Sequence, residues 1–165
     1  MSFNYLNKKG FTLMELIVTV ILVAVLASYG VYYYTNTIRE GEVKAAKGKL
    51  AALGGGVARF ILEYGQPGLS APLLIDTTIE SGTCNYYSHN ASEKMKSIFT
   101  CGYIEKSLGF DEKFNFYFGI PSNSACGGNL DTLSVFMKPK EQNVEGYPSC
   151  AFFNPNTDTV VEVQN

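Results

Sequence analysis

Tryptophan is absent from this 165-residue chain, and histidine occurs once, at His89. There is no G-x-S-x-G turn, and Gly54-Gly55-Gly56 lacks the Lys-Ser/Thr that completes a phosphate loop. The acidic side chains are scattered, with no pair repeating at ligand spacing, so an enzyme is a poor reading. No Lys/Arg cluster is present and the formal charge is −2, which argues against nucleic acid as the main partner. None of the four cysteines sits in a C-x-x-C pair, and with a single histidine the spacing does not suit zinc. His89, in a polar stretch, reads as a solvated loop residue. Charge itself is missing from one long stretch: between Lys9 and Arg39 only Glu15 is ionisable to a full charge near neutrality.

What fills that stretch is an apolar run from Leu16 to Tyr34. At helical rise its 19 residues reach about 28 Å, close to the hydrocarbon thickness of a bilayer. The β-branched residues Ile17, Val18, Val20, Ile21, Val23 and Val25 do not oppose a helix there, because backbone groups in lipid must bond within their own segment. Tyr29, Tyr32, Tyr33 and Tyr34 gather at one end, where tyrosine suits the headgroup region. Glu15 stands at the other end. A carboxylate costs roughly 2.5–3.5 kcal/mol at the centre of an inserted helix and less toward an end. Its own helix offers it no cation, so either it snorkels or it pairs with another chain.

The residues before this run carry a resemblance. Lys8-Lys9-Gly10 followed by Phe11-Thr12-Leu13-Met14-Glu15-Leu16 resembles the processing junction of type IV prepilins and of the related pseudopilins of type II secretion. The likeness covers about residues 8–60. It implies that a membrane peptidase cuts between Gly10 and Phe11, that Phe11 is then N-methylated, and that Glu15 becomes the fifth mature residue and acts in subunit assembly. Where many members have a helix-bending proline this chain has Tyr32, with Gly30 nearby. The fold implied is α+β and type IV pilin-like: a long N-terminal helix, apolar in its first half and amphipathic in its second, packed on a small antiparallel sheet. The organisation is then a cleaved leader at 1–10, a transmembrane or filament-core helix at 11–38, and a globular part at 39–165. Loss of Lys8 and Lys9 takes the formal charge from −2 to −4.

Periodicity supports that outline. Val43, Ala46, Leu50, Leu53, Val57, Phe60 and Tyr64 recur at intervals of three and four, one apolar stripe along a helix. The spacing predicts a single helix from about Phe11 to Tyr64, stopped by Gly65-Gln66-Pro67-Gly68. Gly54-Gly55-Gly56 interrupts the stripe at roughly 1 kcal/mol per glycine, which is consistent with close packing against a sheet. Residues 65–113 read as a variable loop. Within it Ser92–Phe99 is a short helix candidate capped by Ser92, and Tyr103–Leu108 a further turn. From Phe114 the period becomes two, through Phe114–Phe118, Leu133–Met137, Ser149–Phe153 and Thr159–Val163. Turn signals at Pro121-Ser122-Asn123, Gly127-Gly128-Asn129 and Asn154-Pro155-Asn156 separate them. This predicts three to four antiparallel strands at 114–165 with one face covered by the stripe.

Cys84, Cys101, Cys126 and Cys150 all follow the apolar run. An even count in an exported domain reads as two disulfides with three possible connectivities, buried free thiols being the alternative. Pairing in order, Cys84 with Cys101 and Cys126 with Cys150, closes the shorter loops and is favoured, at roughly 3 kcal/mol each. The resemblance agrees for the second pair, since type IV pilins often close their C-terminal region with a disulfide. It also raises calcium, which some pseudopilins bind. Asp76, Glu80, Asp111 and Asp131 are the candidates, but no D-x-D loop organises them and no metal or other cofactor is expected.

The resemblance therefore implies a structural pilus subunit. It waits in the bacterial inner membrane with its leader cytoplasmic, as Lys8 and Lys9 suggest, and passes after cleavage into a cell-surface filament. Its partners would be copies of itself or other pilins, the prepilin peptidase, an inner-membrane assembly platform and, before assembly, the membrane. A pseudopilin is the nearest alternative, and two disulfides with a Tyr- and Phe-rich C-terminal sheet lean toward the pilin. Two readings of other classes remain. Val25-Leu26-Ala27 before Ser28 resembles a signal-peptidase site, which would make an ordinary secreted protein. A permanently membrane-anchored binding domain would need neither peptidase nor filament.

Overall fold

The computed structural model describes residues 10–69, 71–75, 84–105, 108, 111–120, 126, 133–142 and 144–163. The leader before Gly10 and the two turns at 121–123 and 127–129 lie outside them. Helix α1 runs from Leu13 to Tyr64. Strand β1 (Leu73–Ile75), helix α2 (Ala91–Thr100) and strands β2 (Phe114–Gly119), β3 (Ser134–Pro139), β4 (Cys150–Asn154) and β5 (Thr159–Val163) follow. The chain forms two compact units, Met1–Ile38 and Arg39–Asn165. The described part of the first is the apolar portion of α1, exposed along its length.

The second unit is built on a five-stranded antiparallel sheet whose spatial order follows the chain, β1-β2-β3-β4-β5. Three to four strands were anticipated, and β1 is the addition. It is three residues long, too short for an alternation to show in the sequence, and lies inside the stretch read as loop. Leu73 and Ile75 pair with Phe118 and Phe116 and put their side chains on the same face as those rings. Phe116 opposes Met137 and Phe118 opposes Val135, while Met137 opposes Ala151 and Phe153 opposes Val160. These residues make the inner face.

The stripe of α1 covers it. Val43, Ala46, Leu50, Leu53, Val57 and Phe60 are buried in one cluster with Phe114, Phe116, Phe118, Val135, Met137, Ala151 and Phe153. Met95, Ile98 and Phe99 of α2 join the same cluster. Gly54, Gly55 and Gly56 are all helical, so no break occurs there. They differ in what surrounds them. A Cβ on Gly54 would run into the Phe153 ring, and one on Gly56 into Ile104, whereas Gly55 faces open space. The sheet at Gly54, and the segment that follows α2 at Gly56, come too close to the helix for any side chain there. Around this contact, polar pairs fix the helix laterally. Lys47 meets Glu162, Tyr147 donates to Glu42 and Tyr103 donates to Glu63. Burial, and then the bond to the Glu42 carboxylate, push the Tyr147 phenol up to about 12.

Helix ends are set by short-range chemistry. At α1 the Gly65 N–H donates to the Ile61 carbonyl at 2.9 Å with φ at +76°, a left-handed stop that favours glycine. The N-cap of α2 is Asn90 and not Ser92: the Asn90 Oδ1 accepts from the Ser92 N–H at 3.0 Å. The turn expected at Tyr103–Leu108 is present only at its end, where the Leu108 N–H donates to the Glu105 carbonyl at 3.1 Å, and Tyr103 itself belongs to the close of α2. Gly102 at φ +81° sends its N–H to Phe99, and Tyr103 sends its own to Ile98, which closes α2 in a Schellman motif. Residues 106 and 107 of that expected turn lie outside the described residues.

The outer face of the sheet is not left wet. Phe136, Phe152, Cys150 and Cys126 are buried together, with Tyr117, Val161 and Val163 packed against them. Tyr117 stacks on Phe136 at 5.1 Å. Cys126 is disulfide-bonded to Cys150 of β4, 24 positions on, with Cα atoms 5.4 Å apart. The second disulfide joins Cys84 to Cys101, ahead of and behind α2, with Cα atoms 4.9 Å apart.

Asp111, one of the calcium candidates, is otherwise committed. It accepts from Lys49 Nζ at 2.8 Å and from the Lys113 and Phe114 N–H groups at 2.9 and 3.2 Å. Asp76, Glu80 and Asp131 lie outside the described residues. Among the described residues no group of three His, Cys, Asp or Glu side chains converges as metal ligands do. Burial alone pushes the Asp111 carboxyl up, but the Lys49 bond, the backbone donors and the Lys49 charge outweigh it and hold it below 3.8.

Two predictions follow from this packing for the full chain in detergent. Gly54→Ala and Gly56→Ala should each destabilise by about 1–3 kcal/mol through overpacking, while Gly55→Ala should stabilise by up to about 1 kcal/mol. Thermal melts followed by tyrosine near-ultraviolet circular dichroism check the ordering, and equal effects at all three sites would refute the close approach. Asp111→Asn should lower the melting temperature at pH 7. A carboxylate with a depressed folded-state pKa contributes stability above its unfolded value and loses it as pH falls through the folded one. The gap between variant and parent should therefore narrow as pH is taken below 3.8. A gap of constant size down to the lowest pH at which the parent folds would count against the ion pair.

Candidate functional site

The site is built where α1 begins. Gly10 and Phe11 precede the helix in irregular backbone, and both are exposed, Phe11 at 82%. The bond between them is thus on open chain, two residues before the first helical position. An accessible peptide without regular structure just ahead of a helix is the form a protease can take into its cleft.

Thr12 is the N-cap. Its hydroxyl oxygen accepts from the Glu15 N–H at 3.2 Å, and its carbonyl accepts from the Leu16 N–H at 3.2 Å. Glu15 reaches back in return: its Oε2 accepts the Thr12 N–H at 3.0 Å and the Thr12 hydroxyl at 2.9 Å. This is a reciprocal capping box, in which two of the orphan donors at a helix start are satisfied by one Thr and one Glu three residues apart. The carboxylate also lies in the first turn, where the helix dipole favours negative charge.

This revises the reading of Glu15. Among the described residues no cation accompanies it, but Thr12 supplies two hydrogen-bond donors. The signal was present in the sequence as T-x-x-E immediately before an apolar run. The box engages Oε2 alone; among the described residues Oε1 has no protein partner. Cleavage at Gly10–Phe11 would change the Phe11 nitrogen into an amine and leave the Thr12 N–H as it is. The box is therefore compatible with both the precursor and the processed chain.

Beyond Glu15 the helix hides its polar groups. The hydroxyls of Thr19, Ser28, Thr35 and Thr37 donate to the carbonyls of Leu16, Ala24, Tyr32 and Tyr33 at 2.8–2.9 Å. Each is bonded within its own turn and so can face lipid or apolar side chains without an unmet donor. An 18-residue window of α1 is apolar enough to cross a membrane, and none of it is buried within the chain. A soluble protein would bury such a window, so the bare surface needs lipid or other helices.

The other sequence-selected residues lie elsewhere. The four cysteines form the two disulfides of the Arg39–Asn165 unit, and His89 is an exposed residue just before α2. None is brought to Glu15.

Removal of the cap has a measurable consequence. Thr12→Ala should cost about 0.5–2 kcal/mol of local helix stability, raising amide exchange rates at Glu15 and Leu16 roughly tenfold in detergent while residues past Ala24 keep their protection. Unchanged exchange in the first turn would show that the box does not form.

The match to known families falls on this same stretch: residues 5–30 fit the prokaryotic N-terminal methylation motif. No curated protein and no solved structure gives a match. With the motif laid over the exposed Gly10–Phe11 bond, the capping box and the unburied helix, the chain carries the N-terminal hallmark of type IV prepilins and pseudopilins.

Proposed function

We propose that the chain is a structural subunit of a type IV pilus, not an enzyme. The apolar part of α1 holds it in the bacterial inner membrane before assembly, and its leader is removed between Gly10 and Phe11. The methylation motif supports this reading most directly, since it joins peptidase processing to polymerisation through the same helix. After cleavage the helices leave lipid and pack on one another, which gives the bare surface of α1 its cover.

In this reading Glu15 sets the register. Its Oε1 is open, and a neighbouring subunit's Phe11 amine carries both positive charge and several donors. A carboxylate and an ammonium placed together in an apolar bundle compensate one another, whereas either alone is costly. Only one stagger between neighbours satisfies both, so the pair fixes the axial step. The two disulfides and the aromatic sheet favour a pilin over a pseudopilin, because a subunit exposed on the outside must hold its fold without cellular repair.

The experiment is expression in a strain with type IV pilus machinery. Mass spectrometry of the sheared filament fraction should find a chain beginning at N-methylated Phe11. Glu15→Ala should be inserted and cleaved like the parent yet reduce filament yield at least tenfold, and Glu15→Gln, which keeps the shape and loses the charge, should do the same. A chain that begins at Ser28, or undiminished filaments from both variants, would overturn the proposal.

A further inference from the structure

A cleft of about 650 Å³ lies where the end of α1 and the start of α2 meet, lined by Glu63, Tyr64, Gln66, Tyr86, Tyr87 and His89, with Lys94 at its side. That volume is in the range of small-molecule sites. Its wall is a ladder of rings. Tyr86 lies 4.4 Å from Tyr64 and 4.5 Å from Tyr87 between ring centres, and Tyr64 in turn lies 5.1 Å from Phe60, which is fully buried. The core thus props up a stack whose outermost member, Tyr87, is 78% exposed. An exposed ring is normal when isolated. One held at the end of a ladder rooted in the core is a rigid platform.

The polar groups around it are of a particular kind. Lys94 is occupied with the Tyr64 carbonyl at 2.7 Å, and the Glu63 carboxylate accepts the Tyr103 hydroxyl. Each bonds a neutral group and keeps its charge, but the two are opposite in sign, so the lining carries no net charge to select an ion. The Gln66 amide and the His89 ring, by contrast, have no hydrogen-bond partner among the described residues. They leave donors and acceptors pointing at a site with one flat apolar surface. Apolar lining beyond the tyrosines is limited to Pro67, Gly68 and Ala91, too little for an acyl chain or a large aliphatic side chain. The rings lie along one ladder and two of the three are occupied by ring neighbours, so they do not enclose a cation from several sides as a methylammonium cage does.

We propose that this cleft binds a neutral carbohydrate, one sugar ring stacking its axial C–H face on Tyr87 while its hydroxyls bond Gln66 and His89. Pyranoses combine an apolar face with a rim of hydroxyls, and tyrosine presents apolar area at little entropic cost, with a polar tip. With a single platform ring the affinity is weak, a dissociation constant of about 1 mM. The inference does not depend on filament formation, because every residue involved belongs to the Arg39–Asn165 unit.

Saturation-transfer NMR on the full chain tests it, in lauryldimethylamine oxide, whose headgroup is not a sugar. The probes are lactose, cellobiose, maltose and N,N′-diacetylchitobiose. Transfer to the ring C–H protons of at least one disaccharide is expected. It should fall at least tenfold in Tyr87→Ala, persist in Tyr87→Phe, which keeps the ring, and weaken severalfold in Gln66→Ala, with melting temperatures unchanged. No transfer from any of the four probes would overturn the proposal. So would transfer that survives Tyr87→Ala, or displacement of the sugar by equimolar tetramethylammonium, which would mark a cation site instead.

Discussion

The contact between the apolar stripe of α1 and the inner face of the sheet governs the Arg39–Asn165 unit. An antiparallel sheet of five short strands cannot bury a face alone, and a helix with one apolar stripe cannot either. Each is the other's cover. Gly54 sets how near they come, since Phe153 of the sheet occupies the space a methyl group would need, and Gly56 does the same for Ile104 in the segment after α2. Glycine in a helix costs roughly 1 kcal/mol apiece against alanine. That cost is offset by the rings it lets into contact: Phe114, Phe116 and Phe118 are all fully buried beneath the helix and its neighbours. Gly55, turned away from the sheet, shares the cost and has no packing return, and the structure gives no physical account of it.

A sheet whose outer face also carries Phe136, Phe152 and Tyr117 has a second face to keep dry. The Cys126–Cys150 bond meets that need by tying a buried cysteine onto β4 between those rings. The Cys84–Cys101 bond plays a different part. It spans α2, so the helix that completes the inner core is held at both of its ends. Cross-links of this sort shrink the unfolded ensemble, an effect worth most where the hydrophobic core is modest. The strand order helps as well, because every strand pairs with its chain neighbour and only the β1–β2 pair must close a long connection, the one that carries α2.

Features with a long period were legible in the sequence. The 3–4 spacing from Val43 to Tyr64 marked both the helix and its buried side, and the alternation through Phe114, Phe116 and Phe118 marked β2 with its inner face. What escaped was local. Leu73–Ile75 is a strand only because Phe116 and Phe118 lie beside it, and three apolar residues carry no period of their own. The start of α2 depends on which of two nearby polar side chains takes an extended backbone, and Asn90 does so at φ −84° and ψ 117°. The cleft beside Tyr87 could not have been read at all. It needs Tyr64 and Tyr86, 22 positions apart, to stack, and only tertiary packing decides that.

The capping box changes what holds Glu15 in an apolar setting. A carboxylate without donors would be driven to find a partner or to take up a proton. With Thr12 donating twice to Oε2, Glu15 is tolerable in an apolar setting before any counter-charge arrives. What remains unmet is charge, since both donors belong to neutral groups. On the pilus-subunit reading, assembly then needs no rescue of a stranded acid. It adds a cation to a carboxylate already aimed and held, through the oxygen the box leaves open. The rotamer entropy of Glu15 is lost before the encounter, when the helix start forms, and not during it. A preorganised acceptor of this kind makes the intermolecular pair selective for geometry: an amine arriving at the wrong stagger meets the apolar side chains of Leu16 or Met14, while one at the right stagger meets an oriented oxygen.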